Sequence, residues 1–259
     1  MSANPAQPAV LITGGAARIG AALSRGFACA GWHVVIHYRR SKEAAELLAS
    51  ELPSAETACC DLGDSEAVRV MAHDLAGRLG DWRCLVNSAA VFRFDQPRAI
   101  SADAAREAVA VNALAPALLA EVFADETDPS RMRSVIQFTD MKLANPNPDF
   151  FSYSMSKHAA SAAARMLAMA SSDGLRVYAL APGAILASHD QSEAETAISH
   201  RLNLLERRTG LDEIVDAALF LASGALKSGS TLFVDSGQHL LSQPRDVIYL
   251  AREMAGAGA

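Results

Sequence analysis

Tyr153 and Lys157 are the first pair of residues whose types and spacing suggest catalysis. They lie four positions apart where a helical pattern begins, which spans Ser154 to Ser171, and side chains at this spacing occupy one face of a helix. An ammonium group beside a phenol favours the phenolate, so Lys157 would lower the pKa of Tyr153 from about 10 and make it a usable general acid. Because such pairs are common on helices, the spacing alone does not separate a catalytic pair from an ordinary helix surface.

A glycine-rich turn forms a second candidate site. Residues Thr13 to Gly20 connect an apolar strand pattern to a helical one, which places backbone N–H groups and a helix N-terminus where a pyrophosphate can bind. Gly14 suits the tight turn and Gly20 suits close helix packing, whereas Arg18 stands where the G-x-G-x-x-G pattern has its middle glycine. The other interpretation is a turn that only requires a positive φ.

The end of the second strand indicates which dinucleotide this turn would hold. An NAD site places an acidic residue there, next to the adenine ribose, but this chain has Tyr38-Arg39-Arg40-Ser41. Two guanidinium groups and a hydroxyl, joined by Arg18, are suitable donors for a 2′-phosphate. We therefore predict NADPH rather than NADH, with ordinary surface charge as the alternative for Arg39 and Arg40.

Alternating strand and helix patterns would position these residues. Seven apolar runs are predicted strands: Ala9–Thr13, His33–Tyr38, Glu56–Cys60, Cys84–Asn87, Ser134–Phe138, Leu175–Leu180 and Thr231–Val234. Between them lie the helical patterns Ile19–Ala30, Glu43–Ser50, Ser65–Leu79, Ala104–Phe123, Ser154–Ser171 and Asp212–Leu221. This order predicts a three-layer, doubly wound α/β fold of the Rossmann type, with a seven-stranded parallel sheet ordered 3-2-1-4-5-6-7.

Composition limits the possible partners. The 259 residues carry a net charge of -6 without a dense run of lysine or arginine, which argues against nucleic acid and anionic lipid surfaces. Four cysteines without C-x-x-C spacing indicate reduced thiols, and neither a leader sequence nor a long uncharged apolar run is recognisable. We expect a cytoplasmic protein without a membrane span that acts on a small molecule.

The chain is predicted to form one domain, residues 1–259, since no linker divides it. Residues 1–8 are predicted to be disordered, and the polar segment 187–208 is predicted to be a mobile flap over the substrate. The histidines lack metal-ligand spacing and are interpreted as surface or satisfied residues: His158, His189, His200 and His239. No metal site is predicted.

At this point the motifs, taken in order, resemble the short-chain dehydrogenase/reductase family. They are the Thr13–Gly20 turn, Asp61-Leu62, Asn87-Ser88-Ala89-Ala90, Asn112, the Tyr153/Lys157 pair and Pro182-Gly183. The resemblance implies that Lys157 orients the nicotinamide ribose and that Asn112 holds a water that relays protons to Lys157. It also implies a set of cofactor contacts: Gly14, Arg18, Ile19, Gly20, Asp61, Leu62, Asn87, Ser88, Ala89, Tyr153, Lys157, Pro182, Gly183 and Ile185.

Two departures make the sequence similar to the pteridine reductase and dihydromonapterin/dihydrofolate reductase branch. One is Arg18 in the glycine turn, and the other is Asp140, thirteen positions before Tyr153, where most members have serine. A serine donates to a ketone oxygen, whereas a carboxylate accepts from the N–H groups of a dihydropterin and can relay a proton to a C=N nitrogen. If Thr139 takes the serine position instead, a ketone reductase is favoured. A non-catalytic NADPH-binding sensor is the alternative of another class.

Two further predictions concern the substrate and assembly. Related reductases stack the flat pterin on an aromatic side chain after the fourth strand, and Phe92 is the candidate, with a packed loop residue as the alternative. The residues Ala113–Leu119 and the helix Ala159–Ala170 are rich in small side chains. In the family these helices commonly form a dimer interface, so we expect a homotetramer or a dimer.

Overall fold

Residues 7–188 and 190–257 are described by a computed structural model. Their strands form one parallel sheet in the order β3-β2-β1-β4-β5-β6-β7, so the predicted fold class and strand order are confirmed. The strands are β1 (Ala9–Ile12), β2 (His33–Tyr38), β3 (Ala55–Cys59), β4 (Trp82–Asn87), β5 (Arg133–Phe138), β6 (Leu175–Pro182) and β7 (Thr231–Val234).

Helices cover both faces of this sheet. They are α1 (Arg18–Cys29), α2 (Lys42–Glu51), α3 (Ser65–Arg78), α4 (Ala102–Val109), α5 (Ala115–Glu126), α6 (Phe151–Ala170), α7 (Glu193–Ser199), α8 (Leu211–Ala222) and α9 (Val247–Ala257). Strand side chains alternate between two cores: Leu11 and Val35 point to one face, and Val10 and Ile12 point to the other. Burial on both faces explains why the strands are continuous apolar runs.

The single helix predicted for Ala104–Phe123 is wrong in one respect. The chain forms α4, a π-helical turn at Ala110–Leu114, and then α5. Pro116 has no N–H to donate to the carbonyl four residues earlier, which belongs to Asn112, so the regular α-helical pattern breaks there. The combined run Ala102–Glu126 is long and apolar enough to cross a bilayer by length and composition, but 56% of its most apolar window is buried inside the protein.

The segment 187–208 contains α7, which was not predicted, and α7 packs against α9, which was not predicted either. Arg252 on α9 donates to the Asp190 carboxylate at 2.7 Å and to Glu195 at 3.2 Å. These bonds anchor the segment, and its mobility stays a prediction. His189 lies outside the described residues.

The disorder predicted for residues 1–8 is wrong at its last two positions. Gln7 donates to the Gly31 carbonyl at 2.9 Å, and the Pro8 carbonyl accepts from the His33 amide at 2.9 Å. The second bond continues the pairing of β1 with β2 towards the N-terminus. Together the two bonds hold residues 7 and 8 in place. Residues 1–6 lie outside the described residues.

Candidate active site

A cleft of about 680 Å³ opens at the carboxyl ends of the central strands, where ligands of open α/β sheets bind. It brings together residues from five separate sequence motifs. The predicted residues that line it are Gly14, Arg18, Ile19, Ser88, Ala89, Phe92, Asp140, Tyr153, Lys157, Pro182, Gly183 and Ile185. The other predicted residues lie outside this lining: Gly20, Tyr38, Arg39, Arg40, Ser41, Asp61, Leu62, Asn87 and Asn112.

Tyr153 and Asp140 meet at the centre of the cleft. The Tyr153 hydroxyl donates to Asp140 Oδ2 at 2.7 Å, and Asp140 Oδ1 accepts from the Lys142 amide at 2.9 Å in the turn that follows β5. Burial of the phenol, the Asp140 charge and this hydrogen bond hold the pKa of Tyr153 well above 10. Tyr153 therefore keeps its proton at neutral pH, as a proton donor must.

The predicted lowering of the Tyr153 pKa by Lys157 is wrong for the described chain. Lys157 Nζ donates to the Phe138 carbonyl at 2.8 Å and lies 5.6 Å from the centroid of the Tyr153 ring, whereas Asp140 touches the hydroxyl itself. The nearer negative charge and the burial outweigh the more distant ammonium. Burial also lowers the pKa of Lys157 to about 8.

Thr139 and Asp140 point to different partners. Thr139 is buried, and its hydroxyl donates to the Leu180 carbonyl on β6 at 3.2 Å. Asp140 is only partly buried and contacts Tyr153. Of the two residues considered for the serine position, only Asp140 forms a hydrogen bond with the tyrosine.

Asn112 lies in the π-helical turn and holds the backbone of Val91, next to the wall of the cleft. Its Oδ1 accepts from the Val91 amide at 2.7 Å, and its Nδ2 donates to the Val91 carbonyl at 3.0 Å and to Ser156 Oγ at 2.9 Å. These bonds use both hydrogens of the amide group, and the water predicted at Asn112 stays a prediction. The side chain holds the backbone immediately before Phe92, whose ring stacks on Phe150 at 4.1 Å and stands edge-on to Tyr153 at 4.7 Å.

The glycine turn is too tightly packed for side chains. A Cβ on Gly20 would lie 2.0 Å from the Gly14 carbonyl oxygen, and a Cβ on Gly14, whose φ is +66°, would lie 3.2 Å from Ala89 Cα. Arg18 also has a positive φ, +52°, so an arginine adopts the left-handed conformation that glycine favours. Both the tight approach and the positive φ considered from the sequence occur in this turn.

His37 supports this turn, a role that the sequence did not reveal. Its Nδ1 accepts from the Gly14 amide at 3.1 Å, and its Nε2 lies 3.1 Å from the Cys60 carbonyl. Burial lowers the pKa of His37 to about 4, so the ring is neutral and its two nitrogens act as one acceptor and one donor. His37 thus ties β2 to the glycine turn and to the end of β3.

The three arginines predicted around one phosphate have no partner in common. Arg18 donates to the Ala187 carbonyl at 2.9 Å, and Arg39 lies 3.5 Å from Asp61 and 3.9 Å from Glu107. Arg40 is exposed and forms no ion pair within the described part of the chain. Tyr38 is half-buried and Ser41 is exposed at the start of α2, so the end of β2 presents its polar groups at the surface.

The remaining predicted residues have structural contacts. Asp61 Oδ1 accepts from the Gly63 amide at 2.9 Å, and Leu62 packs in the core. Asn87 is buried beneath the cleft and donates weakly to the Pro116 carbonyl at 3.4 Å. Their predicted contacts with a dinucleotide stay predictions.

A family model described as enoyl-(acyl carrier protein) reductase, from the short-chain dehydrogenase/reductase group, matches residues 14–239. The chain belongs to the short-chain dehydrogenase/reductase family. The resemblance inferred from the motifs is therefore confirmed, and members of this family use NAD(H) or NADP(H).

The members of the short-chain dehydrogenase/reductase family that are similar to this chain are named for different substrates. A structure of FolM alternative dihydrofolate reductase 1 from Brucella canis complexed with NADP has a TM-score of 0.86 and 31% identity, covering 93% of this chain and 97% of that one. Pteridine reductase 1 of Leishmania tarentolae is 28% identical over 93% of this chain and 99% of its own length. A putative ketoacyl reductase of granaticin synthesis from Streptomyces violaceoruber is also 28% identical, over 92% and 98%.

The far wall of the reductase cleft contains charged residues that the sequence analysis missed. Lys142 is buried and forms an ion pair with Asp246 at 2.5 Å, and both residues line the cleft. Asp149 is fully buried and accepts from the Asp246 amide at 2.9 Å and from Arg245 at 2.7 Å. The C-terminal segment thus forms part of the cleft, a position that no local sequence pattern reveals. Among the described residues no cluster of metal-ligating side chains occurs.

Proposed function

We propose that this short-chain dehydrogenase/reductase uses NADPH to reduce a C=N bond of a dihydropterin or a dihydrofolate-like substrate. The observation that carries the proposal is the 2.7 Å hydrogen bond from the Tyr153 hydroxyl to Asp140 Oδ2 in the cleft. A carboxylate at this position accepts hydrogen bonds, so it suits a substrate that offers N–H groups rather than a ketone oxygen. The pteridine and dihydrofolate reductases among the similar proteins support the same substrate class.

The cofactor assignment rests on residues that fit NADP(H). The turn at Gly14 leads into the N-terminus of α1 at the cleft, and backbone N–H groups at a helix N-terminus can bind a pyrophosphate. At the end of β2, Arg39 and Arg40 follow Tyr38 at the place where an NAD site has an acidic residue, which suits a 2′-phosphate. The NADP complex of the Brucella relative agrees with this assignment.

In the proposed mechanism the bound cofactor supplies hydride to the substrate carbon. Tyr153 supplies the proton that the substrate nitrogen requires, and its high pKa keeps that proton available. Asp140 orients the hydroxyl and accepts from an N–H group of the substrate. Lys157 would orient the nicotinamide ribose, and Phe92 would contact one face of the flat ring.

Consumption of NADPH by the purified protein tests the proposal. Dihydrobiopterin, dihydromonapterin, dihydrofolate and a panel of small ketones are compared at equal concentrations, with Tyr153→Phe as the inactive control. We expect turnover with at least one pterin, a higher kcat/KM for NADPH than for NADH, and a loss of at least about 100-fold in the control. Turnover of ketones alone would favour the ketoacyl reductase relatives, and no turnover with any compound would favour a non-catalytic binding protein.

A further inference from the structure

The loop that follows β4, residues 91–96, is fixed at both ends around two exposed rings. Phe92 is 42% exposed and Phe94 is 51% exposed. On one side of them the backbone of Val91 is held from the π-helical turn, and on the other side Asp95 is bonded to the first turn of α6. The exposed rings are therefore carried on a backbone that is preorganised for a contact.

Helix α6, which carries Tyr153, begins without a capping side chain of its own. Its N-cap residue is Phe150, whose side chain forms no cap hydrogen bond and whose φ is +55°, a conformation that is uncommon for a bulky residue. The buried Phe150 ring stacks on Phe92 at 4.1 Å. Because the first N–H groups of a helix have no acceptor within it, those of α6 need an acceptor from elsewhere in the chain.

Asp95 supplies these acceptors from the loop. Its backbone carbonyl accepts from the Phe151 amide at 3.3 Å, and its carboxylate accepts from the Ser152 amide at 2.9 Å and from the Ser152 hydroxyl. The side chains of Asp95 and Ser152 are both buried. Three bonds thus join the loop that carries Phe92 to the two residues directly before Tyr153.

The Asp95 carboxylate is buried and forms no ion pair within the described part of the chain. A buried carboxylate is costly unless donors surround it. Here the donors are the N–H and O–H groups of the first turn, together with the positive end of the α6 dipole. Because these donors belong to α6 and the carboxylate to the loop, the bonds hold the two elements in one relative position.

The neighbouring residue Gln96 fixes the same segment at a second point. Gln96 Nε2 donates to Asp149 Oδ1 at 3.1 Å, and Asp149 directly precedes Phe150. Asp149 also accepts from Arg245 at 2.7 Å, so this contact belongs to the buried charges of the far wall. The bonds of Asp95 differ because they end on α6 itself.

We propose that Asp95 is a positioning residue that sets the place of Tyr153 relative to Phe92, and with it the slot in which a flat substrate reacts. The two rings stand edge-on with 4.7 Å between their centroids, and Asp95 joins the elements that carry them. The inference rests on the proposed function for the reaction that this slot serves. Asp95 lies outside the lining of the cleft, so it acts through the two rings and transfers no proton.

Three variants and a matched control test this role. Asp95→Ala removes the carboxylate, Asp95→Asn keeps an oxygen for the Ser152 amide, and Ser152→Ala removes only the hydroxyl bond. The control is Asp64→Ala, because Asp64 caps α3 by accepting from the Glu66 and Ala67 amides at 3.0 Å and 3.1 Å. Helix α3 carries no residue that lines the cleft, so this control loses a cap without touching the slot.

Two quantities are measured for each variant at a temperature at which thermal unfolding shows it to be folded. The first is kcat/KM for a dihydropterin at saturating NADPH. The second is the fluorine NMR signal of Tyr153 in protein labelled with fluorotyrosine, which Tyr153→Phe identifies among the four tyrosines. This signal reports the surroundings of the phenol and requires no turnover.

We expect Asp95→Ala to lose at least about tenfold in kcat/KM, because small displacements of a reacting group are costly, and to shift the Tyr153 signal. Asp95→Asn should retain most of the rate. Ser152→Ala should lie between them and add no further loss to Asp95→Ala, because both remove the same contact. Asp64→Ala should unfold at a lower temperature but keep the rate and the signal of the wild type.

Asp95→Ala that matches Asp64→Ala in either the rate or the Tyr153 signal would overturn the proposal and leave Asp95 as a cap that only stabilises α6. If Asp95→Ala does not fold, Ser152→Ala is judged by the same two quantities. If no pterin turns over, the proposed function fails and the fluorine signal alone decides whether Asp95 positions Tyr153. Turnover of a pterin by Asp95→Ala at the wild-type rate would contradict only the role of Asp95.

Discussion

At the scale of single residues, the site depends on two buried groups, Tyr153 and Lys157. The pKa of Tyr153 is raised, whereas a lysine that activates a tyrosine would lower it. Tyr153 is held protonated by burial and by Asp140, and Lys157 loses part of its basicity through burial. A phenol with a raised pKa stays protonated at neutral pH, which is the state that a proton donor needs. The spacing of the pair was readable from the sequence, but its pKa values depend on Asp140 and on burial.

Lys157 predicts an alkaline limit to activity. Its folded-state pKa of about 8 lies below the ordinary value of 10.5, so its charge is present below pH 8 and is lost as the pH rises through that value. If this charge orients the nicotinamide ribose, kcat/KM for NADPH falls above about pH 8. Lys157→Arg keeps its charge and should move the fall to higher pH. An unchanged alkaline limb in Lys157→Arg would show that another group titrates.

At the scale of elements, the glycine turn combines a backbone requirement with the binding role proposed for it. Arg18 adopts a φ of +52°, which costs a non-glycine residue about 1 kcal/mol, and its guanidinium reaches across the cleft to Ala187. Glycine would adopt this φ without that cost, so the arginine is consistent with the role proposed for its side chain at the phosphate.

Arg18→Gly separates these two roles. Glycine suits the positive φ, so the free energy of unfolding should stay within about 1 kcal/mol of the wild type, while the preference for NADPH over NADH falls by about tenfold. Arg18→Ala should lose the same preference and also be less stable. Kinetics with both cofactors and urea unfolding give the two quantities. An unchanged cofactor preference in Arg18→Gly would remove Arg18 from the phosphate site.

The strand order and most helices were predictable because burial on both faces leaves continuous apolar runs separated by amphipathic segments. The π-helical turn was predictable only from the position of Pro116. Helices α7 and α9 were not predictable from local patterns, because they depend on contacts that are remote in sequence, such as Arg252 with Glu195. Motif residues were found because each motif is local. His37 was missed because it acts through Gly14, which lies far from it in sequence.

At the scale of the whole molecule, the net charge of -6 does not describe the local charge at the end of β2. Arg39 and Arg40 are exposed there, so an acidic chain still offers cationic groups to a phosphate. Exposed Met155, Met166 and Met169 on α6 are available for subunit contacts, and the dimer or tetramer stays a prediction.

Global stability should depend on pH through His37. Its pKa is 6.5 when unfolded and about 4 when folded, so between these values the unfolded chain binds more protons and the free energy of unfolding decreases as the pH falls. The contribution is on the order of 3 kcal/mol across this window and is constant above about pH 6.5. Urea unfolding of wild type and His37→Asn from pH 4 to 8 measures it. Parallel curves for the two proteins would contradict this account.

The most direct measurement is the steady-state rate of Asp140→Asn and Thr139→Ala with a dihydropterin at saturating NADPH. If Asp140 orients Tyr153 and binds the substrate, Asp140→Asn loses at least about 100-fold in kcat, while Thr139→Ala, which removes only a bond to the Leu180 carbonyl, stays close to the wild type. Full activity in Asp140→Asn together with loss in Thr139→Ala would contradict the account and assign the serine position to Thr139.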